Sequence, residues 1–449
     1  MTKTTLSLLA AVAACACSRE PGVPPAPSSV HAPNAKRPPD IVLVTIDSLR
    51  ADHLGCYGYS KATSPHLDAF ARSGVRCADA VSTTSWTLPA HAALFTGLYD
   101  STHGVVDNGL ALAQGVTTLA EVLRAQGYHT AGFYGGPYLH PVFGLSQGFE
   151  SWESCMSASS SRAPDAVVRS VLDPADLSSA RDVTGPRTLA SVEAKLRSAA
   201  RDEPLFLFVH LWDVHYDYRP PEEYWRRFDA DYAGTLDASD LAHNPRITRD
   251  MPARELAHVV ALYDGEIAFT DQQIGRLMER LNQLNLDENT LIILTADHGE
   301  SFAEHDTWFS GSTLFNSATR VPLIVSFPTH LPRARSISAP AMNVDLAPTV
   351  LDTIGAPIPD VFEGQSLLPL MLGHSAGEDR LAFTELADRS EVAVVDRYWK
   401  LIWSSRDQAA RLFYLGDDPN ELHDRAESEP DTTNRLVEEL REWLWLRPG

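Results

Sequence analysis

The run Asp40-Ile-Val-Leu-Val-Thr-Ile-Asp47 is almost wholly apolar and β-branched, and it ends on a carboxylate. A strand with one wet face alternates apolar and polar residues; this run does not, so it reads as a parallel strand buried on both faces. Outward from it, Leu205 to His210, Thr290 to Thr295 and Val321 to Phe327 repeat the texture. Helical periodicity separates these runs at Thr117 to Gln126, Val259 to Leu284 and Asp345 to Ile354. Strands alternating with helices predict an α/β fold, a mainly parallel sheet sandwiched by helices. In such sheets the site is built from polar groups at the carboxyl ends of strands, which singles out Asp47, His210 and the pair Asp297-His298.

After Leu372-Gly373-His374 the texture changes. Leu381 to Thr384, Val392 to Val395, Trp399 to Trp403 and Leu412 to Leu415 are spaced like a small antiparallel sheet, and a last helix is expected from about Thr433 to Trp445. Ser151 to about Arg201 is serine-rich and weakly periodic, and is expected to be a surface insertion with a helix near its end. The expected domains are residues 40–373, catalytic, and 374–449, a C-terminal α+β subdomain.

Ahead of them, Met1-Thr-Lys3 precedes an apolar run from Leu6 to Ala14 and then Cys15. That is the layout of a secretory signal peptide, too short to span a bilayer permanently. Val12-Ala-Ala-Cys15 resembles a bacterial lipobox, whose cysteine becomes the lipidated N-terminus; cleavage near Ser18 is the alternative. Residues 1–18 are therefore read as signal peptide and anchor, and 19–39, rich in Pro, Ser and Ala, as an extended tether. This puts the mature chain on the periplasmic or extracellular side of a bacterial envelope, held to the lipid membrane through Cys15. Disulfides are permitted there, and Cys56 with Cys77 is a candidate bridge, with Cys155 buried or free.

In 449 residues, 44% hydrophobic positions suffice for a large core. Against 59 Asp+Glu there are only 37 Lys+Arg, and the net charge of -22 repels polyphosphates, so a nucleic-acid partner is excluded.

Two segments carry chemistry. Thr295-Ala-Asp297-His298-Gly299-Glu300 follows a buried strand and sets a hard oxygen beside a nitrogen, a pair suited to a divalent metal; taken alone, a loop cap with a surface histidine explains it as well. In Thr84-Ser-Trp-Thr87-Leu-Pro-Ala-His91 a hydroxyl stands where a helix begins. The macrodipole there favours an alkoxide or a bound anion, and metal contact lowers the hydroxyl pKa further; a plain N-cap is the alternative.

Taken in order, the segments resemble the sulfatase family of the alkaline-phosphatase superfamily over nearly the whole chain, Asp40 to Trp445. They are Ile46-Asp-Ser-Leu-Arg-Ala-Asp-His-Leu-Gly-Cys-Tyr-Gly58, Thr63-Ser-Pro-His-Leu-Asp68, and Thr87 to Gly97 with His103-Gly104. Asp213-Val-His215, Asp297-His-Gly-Glu300 with Glu304-His305, Arg320-Val-Pro-Leu-Ile324, and Asp345-Leu-Ala-Pro-Thr349 leading into Gly364-Gln-Ser-Leu367 follow. Arg397-Tyr-Trp-Lys-Leu401 and Leu412 to Pro419 look like the family's C-terminal subdomain.

The resemblance implies a hydrolase of anionic sulfate or phosphate esters with one divalent cation, Ca2+ or Mn2+, held by Asp47, Asp297, His298 and Thr87. Thr87, His91 and His215 become the catalytic candidates, and Arg50, His210 and Arg320 the anion-binding ones. The departures are as informative. The family's Cys/Ser-x-Pro-x-Arg motif, whose first residue becomes formylglycine, is Thr87-Leu-Pro-Ala-His91 here. Threonine would oxidise to a ketone, so an unmodified hydroxyl is expected as nucleophile. The second acid of the family's Asp-Asp pair is Ser48, and its usual histidine ahead of a Thr-Leu-Tyr-like segment is Ser310 or Gly311. The remaining set resembles the single-metal sites of phosphoethanolamine and glycerophosphate transferases. Phosphoryl transfer to a lipid or glycan, and anion binding without turnover, are thus the competing readings.

Overall fold

β1 (Asp40–Ile46) is buried along its whole length, as an apolar run without alternation requires. The computed structural model describes residues 37–156, 183–199, 203–236, 241, 244–309 and 311–447. Cys15 and the signal segment, nearly all of the tether, the middle of the serine-rich stretch and Ser310 lie outside the described residues.

The other strands of the large sheet are β2 (Val75–Val81), β3 (His129–Tyr134), β4 (Ser151–Ser154), β5 (Leu205–Leu211), β6 (Thr290–Ala296), β7 (Arg320–Ser326), β8 (Arg335–Ile337) and β9 (Ala341–Met342). Their order is β4-β3-β5-β1-β6-β7-β2-β8, with β9 also on β2. β1 is central and pairs in parallel with β5 and β6. The helices are α1 (Pro65–Ser73), α2 (Thr87–Thr96), α3 (Leu119–Ala125), α4 (Gly185–Ser198), α5 (Ala253–Gln283), α6 (Leu346–Ile354) and α7 (Pro430–Trp445), with shorter turns between. α3 begins at a capping box, Thr118 and Glu121 each closing the other's backbone N–H.

Two expectations need correction. The run at Val321 reads like a parallel strand, yet β7 pairs antiparallel with both β6 and β2. Burial on both faces makes the run apolar whatever its direction. Between β6 and β7 only a four-residue helix, Asn316–Thr319, intervenes, too short for the crossover that parallel pairing needs. The serine-rich stretch is exposed where it starts, as expected, but it starts as a strand at the edge of the sheet: β4 pairs in parallel with β3. Gly132 on β3 makes this possible, because a Cβ there would stand 2.2 Å from the Trp152 ring. The helix expected near that stretch's end is α4.

β10 (Ala382–Glu385), β11 (Glu391–Val395), β12 (Trp399–Ser404) and β13 (Ala409–Tyr414) form a separate antiparallel sheet in sequence order. α7 covers it with Leu436, Leu440 and Trp443, spaced as one helical face. Their core partners include Val392, Val394, Leu401 and Leu412. Residues 38–449 are one compact unit.

The candidate bridge fails: Cys56, Cys77 and Cys155 are free thiols. Cys77 is sealed in the sheet on β2 opposite Leu323, and Cys56 lies in a turn whose N–H donates to Asp68, 2.7 Å away. Burial, reinforced by the Asp68 charge, pushes the Cys56 thiol up to about 12. Among the described residues no helix is long and apolar enough to cross a membrane.

Candidate metal and nucleophile site

Ile46 of β1 is register partner to Ala296 of β6, so Asp47 and Asp297 leave neighbouring parallel strands side by side. The chain turns at once through Ser48, whose φ of 54° is left-handed. The Ser48 N–H donates to Asp297 Oδ1 at 3.2 Å and its hydroxyl to Asp47 Oδ1 at 2.8 Å, while its carbonyl accepts from the Tyr263 hydroxyl of α5 at 2.7 Å. The residue in the second-acid position therefore ties the two carboxylates together without adding charge. Beyond Asp297 and His298 the backbone passes so close to a neighbour that a Cβ on Gly299 would meet the Ser317 carbonyl oxygen at 2.1 Å.

His298 Nδ1 lies 2.8 Å from the Gly299 carbonyl, an acceptor only, so that nitrogen donates and Nε2 faces the acids. Nε2 is 3.5 Å from Asp297 Oδ2 and 3.7 Å from Asp47 Oδ1. Burial opposes a charge on this ring, but Asp297 and Asp47 together raise its pKa. Burial, then the Asp47 charge, push Asp297 up to about 6. One ligand atom each from Asp47, Asp297 and His298 lie within 4.8 Å of one another, and all three residues are buried. Asp297 Oδ2 has no hydrogen-bond partner although it is buried. Two packed acids, an imidazole and an orphaned oxygen fit a divalent cation, which would relieve both the repulsion and the missing bond.

Thr87 is the first residue of α2, after Trp86 at the N-cap, and its hydroxyl caps nothing. Its Oγ1 lies 3.2 Å from His298 Nε2 and 3.3 Å from Asp47 Oδ2. The N-cap alternative thus gives way to a hydroxyl held among the metal-ligand candidates at a helix N-terminus.

One helical turn on, His91 places Nδ1 2.8 Å from the Thr87 carbonyl and Nε2 3.1 Å from Thr45 Oγ1. Burial pushes this ring down to about 3, so it is neutral. His210 on β5 is register partner to Thr45 on β1; its Nδ1 is 2.8 Å from the same Thr45 hydroxyl, and its Nε2 is 3.4 Å from Asp47 Oδ2. His215 stacks on Trp212 with ring centroids 3.9 Å apart and turns Nδ1 to the Tyr216 carbonyl at 2.5 Å. Burial, against the pull of Asp47, holds it down to about 4.

The two arginines are not brought to this group. Arg50 spends its guanidinium on Asp52 at 2.8 and 2.9 Å, Glu304 at 2.7 Å and the Glu300 carbonyl at 3.0 Å. Arg320 is paired with Asp79 at 3.0 Å and the Ala78 carbonyl at 2.9 Å.

Residues the motifs did not signal also stand at the site. Thr45 is one, and a signal existed: it is the polar interruption of an apolar run, two residues before Asp47 and so on the same side of the strand. Trp86 meets Tyr138 edge-on at 5.5 Å, and Tyr216 leans on Phe309 at 4.7 Å. After burial, the Asp47 charge is the next influence raising the Tyr138 phenol, so this aromatic rim lies close to the acids.

A family model described as Sulfatase matches residues 39–356, and one described as N-sulphoglucosamine sulphohydrolase, C-terminal, matches 303–446. The chain is 26% identical to an uncharacterized sulfatase of Escherichia coli, over 90% of this chain and 84% of that one. It is 28% identical to an ulvan-active sulfatase of Formosa agariphila, over 77% of this chain and 67% of that one. A solved structure of a protein in complex with its substrate D-glucosamine-2-N,6-O-disulfate superposes with a TM-score of 0.75 at 19% identity, covering 92% of this chain and 98% of the other. The phosphonate monoester hydrolase of Agrobacterium radiobacter superposes with a TM-score of 0.74 at 23% identity, covering 91% and 96%. At such identities these two structures speak for the fold.

Proposed function

The chain belongs to the sulfatase family and is an ester hydrolase, and from that premise we propose that it cleaves sulfate or phosphate esters with Thr87 as nucleophile and one divalent cation at Asp47, Asp297 and His298. The observation that carries this is the Thr87 hydroxyl, 3.2 Å from His298 Nε2 and 3.3 Å from Asp47 Oδ2 at the start of a helix. When bound, the cation would neutralise the two acids and lower the pKa of the hydroxyl.

With its pKa lowered by the cation, the Thr87 hydroxyl would lose its proton to solvent, and Thr87 Oγ1 would attack phosphorus or sulfur in line. The bond from that atom to the leaving oxygen breaks, giving a Thr87 ester and the free alcohol or phenol. Water then cleaves the Thr87 ester and restores the hydroxyl. His215 Nε2 has no partner among the described residues, and we assign it to the leaving oxygen. Because the free ring is neutral, it would take a proton from solvent as the anionic substrate binds beside it and pass that proton to the leaving oxygen. His91, neutral and bound at both nitrogens, orients the Thr87 backbone and has no proton to give. We place the mature enzyme outside the cytoplasm on its Cys15 anchor, with residues 374–449 as a subdomain covering the catalytic one; Cys15→Ser should release soluble protein or leave precursor, and processed membrane-bound protein would refute the anchor.

The test is parallel turnover of aryl sulfate, phosphate monoester and phosphodiester with added manganese or calcium. Thr87→Ala should lower the best of these by ~10³-fold or more with the melting temperature kept, and Thr87→Ser should retain part of the rate. Near-normal turnover by Thr87→Ala would mean that water attacks directly.

A further inference from the structure

Trp86, Tyr138, Tyr216 and Phe309 are half-buried rings on separate segments of the chain, and packing joins those segments into one circuit. The segment after β3 carries Tyr138 and lies hard against Trp212: a Cβ on Gly136 would come within 2.2 Å of that ring. Trp212 stacks on His215 at 3.9 Å, His215 meets Tyr216 at 4.1 Å, and Tyr216 meets Phe309 at 4.7 Å. Two residues on, the Gly311 N–H donates to the Ser85 carbonyl at 2.8 Å, which returns the path to Trp86. Trp86 closes it on Tyr138, edge-on at 5.5 Å.

The circuit passes through the neighbour of Thr87 at one point and through His215 at another, so it frames the approach to the proposed nucleophile. Burial comes first in raising the Tyr216 phenol, but the charges of Glu300, Tyr138 and Asp47 follow, which puts both tyrosines within reach of the same acid. Each of the four rings packs on the core with one part and leaves the rest open. Aromatic faces are weakly negative; they accept a flat or C–H-rich ring and disfavour an anion. Arg50 and Arg320 are committed to acids, and no lysine or arginine among the described residues stands over any of these four rings. An anionic substituent among them would give up water without gaining a partner.

We propose that Trp86, Tyr138, Tyr216 and Phe309 determine specificity by receiving the alcohol portion of the ester as an uncharged ring, so that the one anionic group of the substrate is the group that meets Thr87. This rests on the reading of Thr87 as nucleophile and adds to it the class of substrate.

The test uses the full chain with the cation and the ester class that give turnover, and compares four esters of that class. Two are nitrophenyl esters with a ring carboxamide or a ring carboxylate, alike in size and different in charge; the others are a neutral hexose ester and an ethyl ester. Wild type should favour the carboxamide over the carboxylate by about tenfold or more in kcat/KM, mostly through KM. The better of the two uncharged ring esters should have a KM about tenfold or more below that of the ethyl ester, and which one it is tells a flat aromatic group from a sugar. Phe309→Ala and Tyr138→Ala should each raise KM for that ring ester about tenfold more than for the ethyl ester, whereas a merely structural role would move both alike. Tyr138→Arg should narrow the preference for the carboxamide. Equal use of carboxamide and carboxylate by wild type, or equal KM for ring and ethyl esters, overturns the proposal whether or not the variants fold, and leaves the Thr87 reading standing. Turnover of no ester overturns both.

Discussion

Thr87, Asp297 and His298 face one another only after β6 and α2 have met, yet each position was legible beforehand. A carboxylate ending a buried strand and a hydroxyl opening a helix are positions where folds of this class put ligands. Arg50 and Arg320 were not legible in the same way. An arginine's use depends on which acids reach it, and Glu304 lies 254 residues from Arg50 along the chain. Thr45 was overlooked because a threonine inside a β-branched run is ordinary strand composition. His215 allows a test at this scale. If its Nε2 protonates the leaving oxygen, His215→Gln should slow alkyl esters by about 10²-fold and leave esters of nitrophenol much less affected, since a phenolate of low pKa leaves without help. Equal loss on both classes, measured as kcat/KM, would assign His215 to binding instead.

Elements hold these residues at fixed distances, and two of them make measurable claims. The passage after Asp297-His298 runs so close to Ser317 that Gly299→Ala must push β6's end away from the loop before β7. The expected result is a loss of about 3 kcal/mol or more in unfolding free energy with weakened metal binding, read by denaturant titration. α1 begins at Pro65, and Asp271 of α5 accepts the N–H groups of His66 at 3.0 Å and Leu67 at 2.8 Å. Burial pushes this carboxyl up to about 6, above its unfolded value. A group raised in the fold contributes stability below its unfolded pKa and loses it as pH rises through the folded one. Wild type should therefore lose about 1–3 kcal/mol between about pH 4 and 6 relative to Asp271→Asn, which cannot titrate. A slope that is identical in the two proteins would refute this. In the large sheet, the strands whose presence and direction were read correctly from sequence, β1, β5 and β6, are buried on both faces. β3 was hidden by Gly132, which weakens strand propensity and is there to admit Trp152; β2, with Arg76 and Asp79, carries too much polarity to look like a core strand. The direction of β7 was illegible for a different reason, since burial sets composition and connection length sets direction.

At the scale of the molecule, the small sheet is fastened to the large one by a buried cation. Lys400 of β12 reaches Glu421 at 2.8 Å, Asn316 Oδ1 at 2.9 Å and Thr319 Oγ1 at 3.3 Å, and both members of the ion pair are almost fully enclosed. Burial lowers the lysine's pKa while Glu421 works to restore it. Removing one partner strands the other: Lys400→Met should cost about 3–5 kcal/mol, and adding Glu421→Leu should recover much of that, as read from the two melting curves. The same corner grips the chain that leaves the proposed metal ligands. Glu421 accepts the Asn316 N–H at 2.6 Å, Pro419 accepts from the Asn316 side chain at 3.2 Å, and the Asn420 carbonyl meets His305 at 2.9 Å. The loop between His298 and β7 is thus anchored at its far end by the small sheet, which contributes no atom to the proposed chemistry. On slow heating, loosening of that sheet would free the loop while β1, β5 and β6 still stand. Inactivation and cation release should then precede the loss of far-ultraviolet circular dichroism by several degrees, and brief cooling from that interval should restore full turnover.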